Sequence, residues 1–264
     1  YMIYNGLAYA PLAATTLPYV STAIPDQLFV GAYPLGAIYE YIAVADMKAD
    51  ANLGVSLSGS NTITINTKDY YSSQRGGGAK YLFKTFAQAT ADGDVYSPTS
   101  LGNIQCVNGV AVLQSNYKTV NIEKFGAVNG QNAYDSIVEL RDILHSKGGG
   151  EILVPGSYVA DGIKMKKGVS IVGISETSSK ITAPANSVNQ GVIELTNGQV
   201  NGANIKRIGI RGHVTNPSQW GIFADAVESG GVGGWWQSKI QEVDIRDTNF
   251  GIHLKGGVTG SNIP

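Results

Sequence analysis

Three short apolar triplets recur along the last third of this 264-residue sequence: Val172-Gly173-Ile174, Ile208-Gly209-Ile210 and Val243-Asp244-Ile245, spaced 36 and 35 residues apart. A second series, Ile193, Ile222 and Ile252, interleaves with them at spacings of 29 and 30. The stretches Ile205-Lys206-Arg207-Ile208-Gly209-Ile210 and Ile240-Gln241-Glu242-Val243-Asp244-Ile245 also agree in apolar pattern over six residues. Two interleaved strand series with one period near 30–36 describe the coils of a solenoid joined by loops of variable length. A β-sandwich would give alternation within each strand but no such repeat. The repeat predicts Val172, Ile208 and Val243 stacked in one interior ladder. Each coil buries its apolar face only against its neighbours, so the first coil needs a lid.

The segment before the repeat supplies one. Val120–Ala127 reads as a strand ending in a turn. Asn132 can cap a helix with Asp135 at its third position, and Ala133, Ile137, Leu140 and Leu144 follow at helical spacing. Gly148-Gly149-Gly150 stops that helix near residue 146. Only short strands follow: Glu151–Pro155, Ser170–Ile174 and Gly191–Leu195. With 34 glycines, 14 tyrosines and 3 methionines, the composition is that of a turn-rich β protein.

Upstream the texture differs. Residues 1–43 carry Pro11, Pro18, Pro25 and Pro34 and are almost uncharged, which permits only short strands and turns. Tyr1–Tyr4, Asn5-Gly6 and Leu7–Tyr9 carry the signature of a two-residue hairpin. So apolar a segment needs another copy or another protein to lean on. Residues 44–118 open on the amphipathic stretch Val44–Ala49, followed by strands predicted over 61–67 and 81–86. Between them, Gly76-Gly77-Gly78 implies positive φ or a bulge where side chains would clash.

Net charge is −1, with charged residues only 15%, which argues against a nucleic-acid surface and against a disordered acidic chain. One cysteine, Cys106, excludes an intrachain disulfide and a Cys-built zinc site and reads as a buried thiol. His145, His213 and His253 share no ligand spacing, so neither metal nor cofactor is expected. No apolar run approaches the ~18 residues of a membrane span, so no membrane insertion is expected. Residue 1 is Tyr, and no closing element is visible before Pro264; both ends are expected to continue into a longer polypeptide.

Lys118–Ala127, the helix, and then Gly148–Tyr158 resemble the entry of pectate-lyase-superfamily right-handed β-helices. In phage tailspikes that entry introduces a receptor-binding, often polysaccharide-cleaving shaft. The family's acidic Gly-Asp-Gly turn is replaced here by Val128-Asn129-Gly130-Gln131. Val44–Lys48, Asp69–Tyr71 and Gly76–Tyr81 look like the small β module before tailspike β-helices, and Tyr1–Phe29 is similar to their virion-anchoring segments. The resemblance implies a mainly β homotrimer organised as an anchoring segment (1–43), a small β module (44–118) and the opening coils of the β-helix (119–264). Its implied partners are phage tail or baseplate proteins through residues 1–43 and, for the full-length protein, bacterial surface polysaccharide. The implied location is the phage tail of the virion. Alternatives are a non-catalytic adhesin or branching adaptor, and a free β-helical lyase or hydrolase.

Glycoside cleavage needs an acid and a base or nucleophile about 5–9.5 Å apart. Candidate carboxylates are Glu194, Asp225, Glu228, Glu242, Asp244 and Asp247. Glu242 and Asp244, two apart on one strand, are expected to share a face, ~6.5–7 Å apart at Cα. The competing reading is that all six are solvated outer-face charges, so no residue is assigned a catalytic role and this stretch alone is expected to be inactive. Trp220 and the pair Trp235-Trp236, which follows Gly230–Gly234, offer flat faces for a subunit contact, for packing or for a sugar ring.

Overall fold

The computed structural model describes residues 2–4, 7–9, 38–55, 57, 61–71, 77–195, 200–213, 216, 218–225 and 237–255. The chain divides into two compact units, residues 1–115 and 116–264.

In the first unit, β1 (Met2–Tyr4) and β2 (Leu7–Tyr9) pair antiparallel with Tyr4 opposite Leu7, the register of the expected hairpin. The rest of the apolar segment up to residue 37 lies outside the described residues. There follow β3 (Ile38–Ala43), α1 (Val44–Ala49), β4 (Ile63–Asp69), β5 (Lys80–Lys84), α2 (Phe86–Ala91), β6 (Ile104–Cys106) and β7 (Gly109–Leu113). The strands form one sheet in the order β3-β4-β5-β7-β6, with β3 parallel to β4 and the other pairs antiparallel. β4 buries Ile63, Ile65 and Thr67 on alternate positions, as its period of two requires. Two glycines of the run behave as expected, Gly76 lying outside the described residues: Gly77 has a φ of +75°, and a Cβ on Gly78 would lie 2.2 Å from the Lys68 carbonyl oxygen. The strand predicted over 81–86 ends at Lys84. Gln88 N–H donates to Thr85 Oγ1 and Thr85 N–H donates to Gln88 Oε1, a reciprocal cap that starts α2. Ala89 of α2 then packs on Val110 and Val112.

The second unit opens with β8 (Thr119–Asn121), a 3₁₀ turn (Ile122–Phe125) and α3 (Tyr134–Ser146). Then come β9 (Gly150–Val154), β10 (Ser157–Val159), β11 (Ile163–Lys164), β12 (Val169–Gly173), β13 (Lys180–Thr182), β14 (Gly191–Glu194), β15 (Ile205–Arg211), β16 (Trp220–Asp225), β17 (Ile240–Arg246) and β18 (Phe250–Lys255). Every strand pair in this unit is parallel. β9–β11, β12–β14, β15–β16 and β17–β18 each make one coil of a parallel β-helix.

Three columns run along it, interior up to the last described coil, where Ile252 is 43% exposed. Val120, Ile152, Ile171, Ile205 and Ile240 are successive partners in the first. Tyr158, Ile181, Ile210 and Ile245 make the second, and Ile163, Ile193, Ile222 and Ile252 the third. The third contains the predicted Ile193–Ile222–Ile252 series in register. In the other series Ile208 pairs with Val243, but Val172 faces Lys206, two residues short of Ile208. The reason is a corner that the triplets conceal. Arg207 and Glu242, matched positions of β15 and β17, have φ of +52° and +54°, and the left-handed residue turns one long strand from the first ladder into the second.

α3 lies against the opening coil. Ile137, Leu140 and Leu144 are fully buried. Arg141 Nη1 donates to the Lys164 carbonyl of β11, and Ser136 Oγ donates to the Phe125 carbonyl. The guanidinium thus satisfies backbone on the first strand of the third sheet, an edge otherwise open to pairing. The helix starts one residue later than the cap assignment implies. Ala133 is the N-cap, and Asn132 Oδ1 accepts instead from Tyr134 N–H. Gly148 and Gly149, with φ of +90° and +119°, end it. In place of the acidic turn, Asn129 Oδ1 accepts from Ser157 N–H, and Gly130 N–H donates to the Ser157 carbonyl.

Candidate functional site

The third ladder carries the most chemistry. Ile193 and Ile222 are fully buried, so alternation places Glu194, Phe223 and His253, partners on three successive coils, on the opposite face of the sheet. Trp220 and Phe250, also partners, begin the same strands. The rings gather: Trp220 stacks on Phe250 at 4.2 Å between centroids, and Phe223 on His253 at 4.8 Å. Trp220 also meets His253 at 4.7 Å, which joins the two stacks into one cluster. Below Phe223 lies the Glu194 carboxylate, buried, whose Oε1 accepts from Gly191 N–H. His253 Nε2 is buried and finds no hydrogen-bond partner among the described residues. Phe250, in the last described coil, is 47% exposed.

The remaining carboxylates are dispersed. Asp244 lies between Arg211 Nη2 at 2.8 Å and Arg246 Nε at 3.0 Å. Its hydrogen bond from Arg246, helped by Arg211 against a smaller desolvation cost, holds its carboxyl below the usual carboxylate range. A carboxylate so clamped makes a poor proton donor near neutral pH. Glu242 occupies the exposed corner of β17 and accepts from Gln241 Nε2. The expected Glu242/Asp244 pair on one flat strand is therefore not formed: a corner residue stands beside an arginine-bound one. Asp247 is exposed, with φ of +59°. Asp225 pairs with Lys255 at the end of β16, its side chain outside the description, while Glu228, Trp235 and Trp236 lie outside the described residues altogether.

Cys106 is buried in the first unit, where burial pushes its thiol up to about 12. Among the described residues no three His, Cys, Asp or Glu side chains gather as metal ligands, and no helix is long and apolar enough to cross a membrane.

The partners of Trp220 escape sequence reasoning. Phe250 and His253 follow Trp220 and Phe223 by 30 residues, the spacing of Ile222 to Ile252, so the ladder period itself held the signal.

No family model and no curated protein matches this sequence. Among solved structures, the chain superposes on tailspike protein gp49 of Acinetobacter baumannii bacteriophage Fri1, a capsular polysaccharide depolymerase. The TM-score is 0.58 and the identity 16%, over 82% of this chain and 38% of that one. The chain has the fold of a phage tailspike. A second tailspike, the enzymatically active domain of tailspike protein 2 from bacteriophage CBA120, superposes with a TM-score of 0.53 at 18% identity, over 70% of this chain and 26% of that one. Pantoea stewartii WceF, a glycan biofilm modifying enzyme with a bacteriophage tailspike-like parallel β-helix fold, gives 0.50 at 11% identity, over 75% and 30%. The chain thus spans well under half the length of each of these tailspike-fold structures.

Proposed function

We propose that this chain is the virion-proximal part of a phage tailspike, in which residues 1–43 attach the spike to a tail or baseplate protein and the β-helix engages a bacterial surface polysaccharide. The observation that carries the reading is the order of parts within one chain. An apolar hairpin-bearing segment precedes a small β module, then a helix-capped parallel β-helix, and the whole superposes on a capsular polysaccharide depolymerase tailspike over 82% of its residues. The assembly is a homotrimer, because three copies around one axis bury the uncharged segment and close without leaving a free interface. The similarity to WceF favours a second reading, a free glycan-modifying enzyme with no particle to join. Deleting residues 1–43 separates the two. The tailspike reading expects the β-helix of the truncated chain to stay folded but the chain to be absent from assembled particles. Particles carrying a normal complement of the truncated chain would refute the anchoring role.

A further inference from the structure

We infer that Asn201-Gly202, in the turn between β14 and β15, is a site of spontaneous deamidation, at which the folded chain converts a neutral asparagine into an aspartyl or isoaspartyl residue.

The chemistry needs an asparagine side chain free to turn and a following backbone nitrogen that nothing holds. Hydroxide removes the proton of that nitrogen, which then attacks the side-chain Cγ. An N–Cγ bond forms and the Cγ–Nδ2 bond breaks. Nδ2 leaves as ammonia with a proton from water, which regenerates hydroxide. Water opens the resulting five-membered imide at either carbonyl, giving aspartate or isoaspartate. Glycine in the second position leaves the nitrogen unshielded, because it has no Cβ.

Three Asn-Gly pairs lie within the described residues, and hydrogen bonds hold two of them. Asn108 Nδ2 donates to the Ala51 carbonyl at 2.7 Å and to the Leu53 carbonyl at 3.0 Å. Asn129 Oδ1 accepts from Ser157 N–H at 2.8 Å, and Gly130 N–H donates to the Ser157 carbonyl at 2.6 Å. Both pairs must break these bonds before Cγ and nitrogen can meet. Asn201 differs. Among the described residues its Oδ1, though buried, has no hydrogen-bond partner, and Gly202 N–H donates to no group. Buried polar atoms are satisfied in the great majority of cases, so this amide is held unusually loosely. Gly202 has a φ of +70°, and a Cβ on it would meet nothing nearer than Gly168 Cα at 3.9 Å. The nitrogen is therefore sterically open, and the extra backbone atom of an isoaspartate has room. The Asn201 carbonyl accepts from Gly168 N–H at 2.8 Å, and the Val200 carbonyl accepts from Ser238 Oγ at 3.3 Å. The new carboxylate thus arises between turns that carry Lys167 and Lys239, where a negative charge is attracted and not repelled.

The test incubates the purified full chain at mildly alkaline pH, once in native buffer and once in guanidinium chloride. Peptide mass mapping then follows ammonia loss at each Asn-Gly pair. In denaturant the three pairs are expected to react at similar rates, since glycine follows each asparagine. In the native chain, Asn108 and Asn129 should slow by about tenfold or more, the scale set by opening their hydrogen bonds. Asn201 should stay within about threefold of its rate in denaturant. Slowing at Asn201 that equals the slowing at the other two would overturn the inference, and so would no slowing at any pair. Asn201→Gln supplies the second arm, because its longer side chain would have to close a less favourable six-membered ring. The variant should lose the mass change in the peptide that spans residue 201, with Asn108 and Asn129 unchanged. A mass change persisting in that peptide would place the reaction at Asn197-Gly198 and overturn the site.

Discussion

A methyl group on Gly173 would lie 2.1 Å from the Arg207 carbonyl oxygen of the next coil and 2.6 Å from Ser179 Cβ. Backbone is the obstacle there, so the coils would have to separate to admit it. Gly173→Ala is expected to destabilise the β-helix by about 1–3 kcal/mol in denaturant titration, the cost of overpacking a tight site. A neutral substitution would mean that the coil spacing is looser than described. In the first unit, Lys84 reaches Asp92 at 2.8 Å and Asp94 at 2.7 Å from a buried position. Burial works against the ammonium, but the two carboxylates outweigh it and hold its pKa above the ordinary value of 10.5. Because the folded value is raised, the contribution is fully present below the unfolded pKa and lost as pH rises through the folded one. Melting of the first unit should therefore fall above pH ~10.5 in the wild type, and fall less steeply there in Lys84→Met. Equal slopes would contradict the pairing. Single residues also mark what the sequence conceals. Arg207 and Glu242 adopt a left-handed conformation that glycine or asparagine would have advertised, and nothing in an Arg or a Glu signals a corner.

The third ladder was legible because every strand in it meets its neighbours at a spacing of 29 or 30, so Ile193, Ile222 and Ile252 align by counting alone. The register at Val172 was not, because a triplet read without its corner can slide by two residues and keep its apolar pattern. α2 hides similarly: its signal is a two-residue reciprocal cap, Thr85 and Gln88, within an apolar run that reads equally well as strand. The helix α3 shows the opposite case, since a long periodic stripe ended by glycines leaves little choice. It buries Ile137, Leu140 and Leu144 completely against the opening coil. Leu140→Asp should therefore cost roughly 3 kcal/mol or more in equilibrium unfolding, the scale expected for an unpaired buried charge. A loss below about 1 kcal/mol would make the helix peripheral to the solenoid's stability.

For the whole molecule, the parallel coils rest on periodicities and turn residues visible in the sequence. The aromatic cluster is a product of the coiling. Trp220 and His253 lie 33 residues apart and become neighbours only because the helix rises one strand per coil. The same geometry explains why the carboxylates were hard to sort, since alternation along one strand says nothing about an arginine arriving from the coil before, as Arg211 does at Asp244. Trimeric assembly is where the tailspike account commits itself most openly, since it joins the apolar segment, the β module and the shaft in a single object. The direct measurement is the mass of the purified chain in solution by light scattering. The account predicts three times the 27.8 kDa of one chain, and a monomeric mass would contradict it.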